Sequence, residues 1–242
     1  MARVAIVTGA ANGLGLACAE RLGADGYQVA LLDVDGRAAD EVEARLRAGG
    51  VDACPIPTDI RTREACDQAV AAVVDRFGRL DVLVNAAGVY PRRPVLDISA
   101  DDWQFVFQVN VLGTYFMMVA AIAEMRSRGG GRIVNISSID GFKAHPANAH
   151  YAATKAAVIS LTRSLALEVA PLGILVNSVA PGPMATETAK QSDWYGPMVE
   201  GLPTRTPIEP TEIANLVAYL SAESNVSIAG ENIVVSGGGV IV

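Results

Sequence analysis

Val4-Ala5-Ile6-Val7-Thr8-Gly9-Ala10-Ala11-Asn12-Gly13-Leu14-Gly15 is an apolar, partly β-branched run that breaks into a glycine-rich turn. Its apolar positions are consecutive rather than alternating, which suits a strand covered on both faces. From Gly13 to Ala24 the pattern becomes helical. Gly9, Gly13 and Gly15 permit a tight turn and a close approach of ligand to backbone. A helix that starts here offers free N–H groups and its positive dipole end to a phosphate, with Asn12 and Leu14 in the same turn. The spacing is G-x3-G-x-G, not the common G-x-G-x-x-G, so the strand–turn–helix setting carries the reading rather than the glycines alone. Asp33 ends the next strand, 18 positions after Gly15. A carboxylate there accepts from both ribose hydroxyls of NAD and repels the 2′-phosphate of NADP. Position 12 is Asn and position 34 is Val, so neither supplies a cation for that phosphate, and Arg37 is the nearest base.

The same alternation continues outward. Strands are predicted at Val29–Leu32, Ala53–Pro57, Val82–Val84, Arg132–Ile136, Ile174–Val179 and Ile233–Val235. Helices are predicted at Ala38–Ala48, Arg63–Phe77, Asp102–Arg126, Tyr151–Ala170 and Pro210–Leu220. Two prolines put Ala53–Pro57 at an edge. Strand–helix alternation implies parallel strands joined by right-handed crossovers. The fold class is therefore α/β: a single doubly wound Rossmann domain over residues 1–242, with a seven-stranded parallel sheet, helices on both faces and the ligand at the carboxyl ends. Residues 181–210 hold six of the twelve prolines, with Trp194 and Tyr195 among them. That marks a long loop, and a lid over the ligand is expected at about 183–208.

Composition excludes several classes. With 51% hydrophobic and 19% charged residues the chain is not disordered. A net charge of −7 argues against nucleic acid or an anionic membrane as partner. Cys18, Cys54 and Cys66 show no CxxC spacing and read as reduced thiols, not a disulfide frame or zinc site. No secretory signal is visible, and the longest apolar stretch, Val111–Ala123, stops short of the roughly 18 residues a span requires, so a cytoplasmic protein is expected. His145 and His150 lack a third ligand, so no metal is expected. The Asn135-Ile136-Ser137-Ser138-Ile139 stretch is no G-x-S-x-G elbow, which removes a hydrolase.

Tyr151 and Lys155 are four apart in a helical segment and share a face. An ammonium nearby lowers a phenol's pKa from about 10, making it a usable base at a carbinol. The T-G-x3-G-x-G turn, Asn85-Ala86-Ala87-Gly88, Asn110, Ser138, Tyr151-x3-Lys155 and Pro181-Gly182 occur together and in order. In this the sequence resembles the short-chain dehydrogenase/reductase family over nearly its whole length. The resemblance implies Tyr151 as acid/base, Lys155 as its partner and holder of the nicotinamide ribose, and Ser138, rather than Ser137, at the substrate oxygen. It implies Asn110 in a water-linked proton relay, Asp59 and Ile60 against the adenine, and Asn85, Ala86 and Gly88 along the cofactor. Pro181, Gly182, Met184 and Thr186 would border the nicotinamide, and a homotetramer is implied as well. Thr154 and Ser236 stand where the family more often has Ser and Asp.

Candidate substrate residues are Ser138, Phe142, His145, His150, Trp194 and Tyr195, with Ile139, Tyr90, Met184 and Met198 beside them. Their apolar character favours a small secondary alcohol or ketone with a hydrophobic side. Lys143, Arg92 and Arg93 would supply charge if turned inward. The expected activity is an NAD-dependent interconversion of secondary alcohol and ketone. The alternatives are a 3-oxoacyl thioester reductase, against which Asp33 argues, and an NAD-binding sensor without turnover, which would not need Asn110, Ser138, Tyr151 and Lys155 together.

Overall fold

The computed structural model describes residues 2–242. Seven strands, β1 (Val4–Thr8), β2 (Gln28–Asp33), β3 (Ala53–Pro57), β4 (Val82–Asn85), β5 (Gly131–Ile136), β6 (Ile174–Pro181) and β7 (Asn232–Val235), form one sheet in the order β3-β2-β1-β4-β5-β6-β7. Every neighbouring pair is parallel. β3 lies at an edge, where Pro55 and Pro57 remove few ladder hydrogen bonds.

The helices α1 (Gly13–Ala24), α2 (Gly36–Ala48), α3 (Arg63–Phe77), α4 (Ala100–Phe107), α5 (Thr114–Ser127), α6 (Ala149–Val169), α7 (Glu187–Lys190), α8 (Tyr195–Glu200) and α9 (Pro210–Ser221) connect the strands. Side chains alternate across β1, so Ala5 and Val7 enter one core with Leu14, Cys18, Leu22, Val42 and Ile213, while Val4 and Ile6 enter the other with Val73, Met117, Met118 and Met125. Two buried faces explain why the strands read as unbroken apolar runs. The chain runs from β1 to β3 on one side, then returns to β4 on the other. That reversal opens a crevice at the carboxyl ends of β1 and β4, where ligands of such sheets bind.

Two elements differ from the sequence reading. The single helix predicted over Asp102–Arg126 starts at a Ser99–Asp102 capping box and is interrupted by a π-helical turn, Gln108–Gly113. A Cβ on Gly113 would stand 2.7 Å from Ile60 Cδ1, so glycine lets the turn pass that side chain. The whole stretch Ala100–Ser127 is long and apolar enough to cross a membrane by length and composition. Here it packs in the core through Met117, Met118 and Met125. The proline-rich segment is also not all loop. It contains α7 and α8, and Met184 pairs in parallel with Ile208 across its base.

Candidate active site

A cleft of about 950 Å³ runs along the carboxyl ends of the strands. Its size lies at the upper end for ligand sites, enough for a dinucleotide and a small second molecule.

One half is made of backbone. Gly9 has φ +66, and a Cβ there would lie 2.8 Å from Ala87 Cα; a Cβ on Gly15 would lie 2.0 Å from the Gly9 carbonyl oxygen. The first intrahelical bond of α1 is Leu16 N–H to Asn12 O, at 3.1 Å, which leaves the N–H groups of Gly13, Leu14 and Gly15 free toward the cleft. Thr8 ties the two sides of the crevice together, its Oγ1 accepting from the N–H groups of Ala86 and Ala87 at 3.1 Å each. Asp33 accepts from Ala11 N–H through Oδ2 and from Asp35 N–H through Oδ1, both at 3.0 Å, which sets the carboxylate on the rim. Val34 beside it is exposed, and Arg37 pairs outward with Glu41 at 3.8 Å. Further along, Asp59 forms a bidentate pair with Arg61, whose hydrogen bonds hold the Asp59 carboxyl below its usual range. Ile60, Ala86, Gly88, Pro181, Gly182, Met184 and Thr186 complete this wall. Asn85 does not line the cleft. It is buried, donating to Asn135 Oδ1 at 2.9 Å, while Asn135 donates to Thr162 Oγ1 at 2.9 Å. This polar chain crosses the apolar interior and ties β4 through β5 to α6.

The other half holds the reactive side chains. Tyr151 lies in the first turn of α6 and Lys155 one turn on. Lys155 is buried and donates through Nζ to Ile136 O at 2.8 Å, with Nζ 5.6 Å from the Tyr151 ring centroid. Burial pulls its pKa down to about 8, against the opposing pull of Asp140. The Tyr151 phenol is moved up, chiefly by burial, against the opposing influence of the Ser138 hydroxyl and the Arg92 charge. The spacing of Tyr151 and Lys155 alone predicts a lowered phenol. Desolvation of the phenol outweighs that here, and the ammonium is directed at a backbone carbonyl. Ser138 is buried at the cleft and accepts from Asp140 N–H at 3.1 Å. Ser137 bonds the other way, to Val179 O at 3.0 Å and Asn232 Oδ1 at 2.7 Å.

Asn110, in the π-helical turn, does not reach the cleft surface. Its Oδ1 accepts from Val89 N–H at 2.9 Å, and its Nδ2 donates to Val89 O at 2.9 Å and Thr154 Oγ1 at 3.1 Å. Both amide hydrogens are taken, so this side chain is a clamp that fixes the Gly88–Tyr90 segment against α6. Thr154 is the linking residue, donating in turn to Tyr151 O at 2.7 Å.

Of the predicted substrate residues, Ser138 and Trp194 line the cleft, and four others do not. His150, in the first turn of α6, is fully buried and lies edge-on to Trp103 at 6.0 Å. One residue along a helix turns a side chain by about 100°, so the neighbour of an inward Tyr151 faces elsewhere. His145 is paired with the Asp140 carboxylate through Nδ1. Phe142 closes a short 3-10 turn, and Tyr195 stacks edge-on behind Trp194 at 6.1 Å. Asp140, Asn148 and Arg92 line the cleft in their place, with Asn148 donating to Asp140 Oδ2 at 2.5 Å. The Asp140–His145–Asn148 set carries no spacing signal, because a turn and a helix start bring it together. Among the described residues no three metal-ligating side chains cluster.

A glycine-rich helix start, a carboxylate at the second strand end, and Ser138, half-buried Tyr151 and Lys155 along one cleft are the features of a nicotinamide-dinucleotide oxidoreductase acting on CH–OH groups. The short chain dehydrogenase family model matches residues 3–194, and the protein belongs to that family. It is similar to a 3-oxoacyl-[acyl-carrier-protein] reductase of Synechocystis sp., 35% identical over 98% of this chain and 96% of that protein. It is likewise similar to trans-4-hydroxycyclohexanecarboxylate dehydrogenase of Sinomonas cyclohexanicum, 37% identical over 98% and 92%. Among solved structures, a variant of actinorhodin polyketide ketoreductase with NADPH superposes with a TM-score of 0.94 at 33% identity, covering 98% of this chain and 97% of that one.

Proposed function

We propose that the protein interconverts a small secondary alcohol and its ketone with NAD(H) as cofactor. Bound in the cleft, a nicotinamide dinucleotide supplies the hydride chemistry. The crowded glycines and the free N–H groups of α1 fit its pyrophosphate, and Asp33 fits an unphosphorylated ribose. Tyr151 gives its proton to the substrate oxygen in reduction and takes it in oxidation, while Ser138 holds the same oxygen. Lys155, fixed on Ile136 O, presents positive charge below the phenol and holds the nicotinamide ribose. Asn110 positions the loop that carries Gly88. Residues 183–208 act as the lid, a small-molecule substrate is the partner, and the site of action is the cytoplasm. Exposed Trp103, Phe105, Phe107 and Tyr115 on α4 and α5 support assembly into a homotetramer.

The observation that carries the cofactor choice is Asp33 on the rim, with Val34 beside it and the nearby Arg37 and Arg61 already paired with Glu41 and Asp59 rather than free for a 2′-phosphate. Rates at 340 nm with NAD⁺ and NADP⁺ test it. NAD⁺ is expected to be favoured on the order of 100-fold in kcat/KM, and Asp33→Ser to narrow that gap to within about tenfold. Equal use of NADP⁺ by the native protein would overturn the assignment. The similarity to a 3-oxoacyl-[acyl-carrier-protein] reductase keeps a thioester reductase as the second reading, favoured if NADPH and a 3-oxoacyl thioester alone give turnover.

A further inference from the structure

Four cations line the cleft: Arg61, Arg92, Lys155 and Lys190. Three have partners. Arg61 is held by Asp59, Lys190 by Glu187 at 3.0 Å, and Lys155 by Ile136 O at 2.8 Å. Arg92 has no carboxylate or carbonyl partner among the described residues. Its guanidinium lies over the Trp194 ring, with the central carbon 4.9 Å from the ring centroid. The cation–π contact occupies a face of the guanidinium system and none of its N–H groups has a protein partner among the described residues, so the donor fork is available to a planar carboxylate.

The surroundings reinforce this. The next residue anchors the segment twice, Arg93 N–H donating to Ala147 O at 3.0 Å and its side chain pairing with Asp102 at 3.3 Å. Asp140, the acid on this side, is already engaged by His145 and Asn148. Arg92 belongs to the end where the proton moves: it lines the same cleft as Ser138 and Tyr151, and Tyr90, two residues before it, lies edge-on to the Tyr151 ring at 6.3 Å. The phosphate-binding turn and the Asp59–Arg61 pair belong to the other half. Tyr90, Ile139 and Met198 supply apolar wall for a short carbon frame.

We propose that Arg92 binds a carboxylate on the substrate, so that the molecule oxidised or reduced is a small hydroxy- or oxocarboxylic acid. This rests on the dehydrogenase reading above. A long thioester arm would place its phosphates many bonds from the keto carbon, which does not match a cation beside Tyr151.

Two readouts keep the two claims apart. Calorimetric binding to the NADH-loaded protein uses short oxocarboxylates of graded length, their methyl esters, and acetoacetyl-CoA. Turnover at 340 nm with NAD⁺ uses the matching hydroxy acids, esters and neutral secondary alcohols. We expect at least one acid to bind and to turn over on the order of 10- to 100-fold better than its ester. Arg92→Gln should remove that preference, raising KM for the acid far more than KM for its ester. Arg92→Lys should keep part of the preference. Esters handled as well as acids, with Arg92→Gln without effect on either, would overturn the carboxylate site while leaving the dehydrogenase. Binding of acetoacetyl-CoA that depends on Arg92, without binding of any acid, would also overturn it. Acid binding that depends on Arg92, with no turnover of any alcohol, would uphold the site and sink the dehydrogenase reading.

Discussion

The half of the cleft around Gly9–Gly15 is built from backbone at strand ends, and the half around Tyr151 from side chains, several of them on loops. The first presents N–H groups of a helix start and glycines whose missing Cβ atoms leave room; a few closely spaced residues suffice. In the second, Arg92, Asp140, Asn148 and Trp194 come from three separate connections. A backbone site needs particular residue types at particular spacings, so it is written locally. A side-chain site only needs its parts to meet, so its residues can sit anywhere that the fold brings near.

The sharpest test of this contrast lies where the halves join. Tyr151→Phe removes the proton carrier and none of the cofactor cradle. Turnover should fall by about 10³-fold, within the range for general acid–base groups, while NADH affinity by fluorescence titration stays within about threefold. A variant that keeps near-native turnover would remove Tyr151 from the chemistry.

Glycine substitutions probe the backbone half directly. Gly15→Ala drives a Cβ to 2.0 Å from the Gly9 carbonyl, so the turn must open. NADH affinity should drop by on the order of 100-fold, with lowered thermal stability. Gly196→Ala is the matched control, because nothing lies within 4 Å of its Cβ and it sits in α8. It should leave NADH binding alone and stabilise by at most about 1 kcal/mol.

A smaller effect is expected from the polar chain beneath both halves. Thr162→Val removes the acceptor for Asn135 Nδ2 in a fully buried setting. The expected cost is about 1–3 kcal/mol in denaturant unfolding, with kcat changed much less than by Tyr151→Phe. A loss of activity without a loss of stability would move this chain from support to catalysis.

The mildest test is titration. Lys155 is held near 8 in the fold, below the ordinary lysine value, by burial. The unfolded chain therefore binds more protons above pH 8, and stability contributed at this site rises with pH until the unfolded lysine also titrates. Cys18 and Cys66, pushed up to about 12 by burial, oppose this above pH 9. Between pH 8 and 9 the native protein should gain about 1 kcal/mol relative to Lys155→Met. A constant difference between the two would show that Lys155 stays charged throughout.

The sequence by itself determined the parallel sheet, its edge strand, the glycine-rich turn, the place of Asp33 and the shared helix face of Tyr151 and Lys155. These follow from short-range rules: consecutive apolar residues for a strand buried twice, glycines where a Cβ would collide, and a four-residue helical step. The break of the long helix at Gln108–Gly113 was not legible, since the Asn110 amide that clamps it finds its partners at Val89 and Thr154. The inward or outward turn of His145, His150, Phe142 and Tyr195 was not legible either, because each depends on a neighbour from another element. Tertiary structure alone decided that Arg92 stays unpaired over Trp194 and that Asp140 is engaged by His145 and Asn148. Such placements depend on how distant loops pack, and the energies that select them arise only once the sheet has brought those loops to one edge.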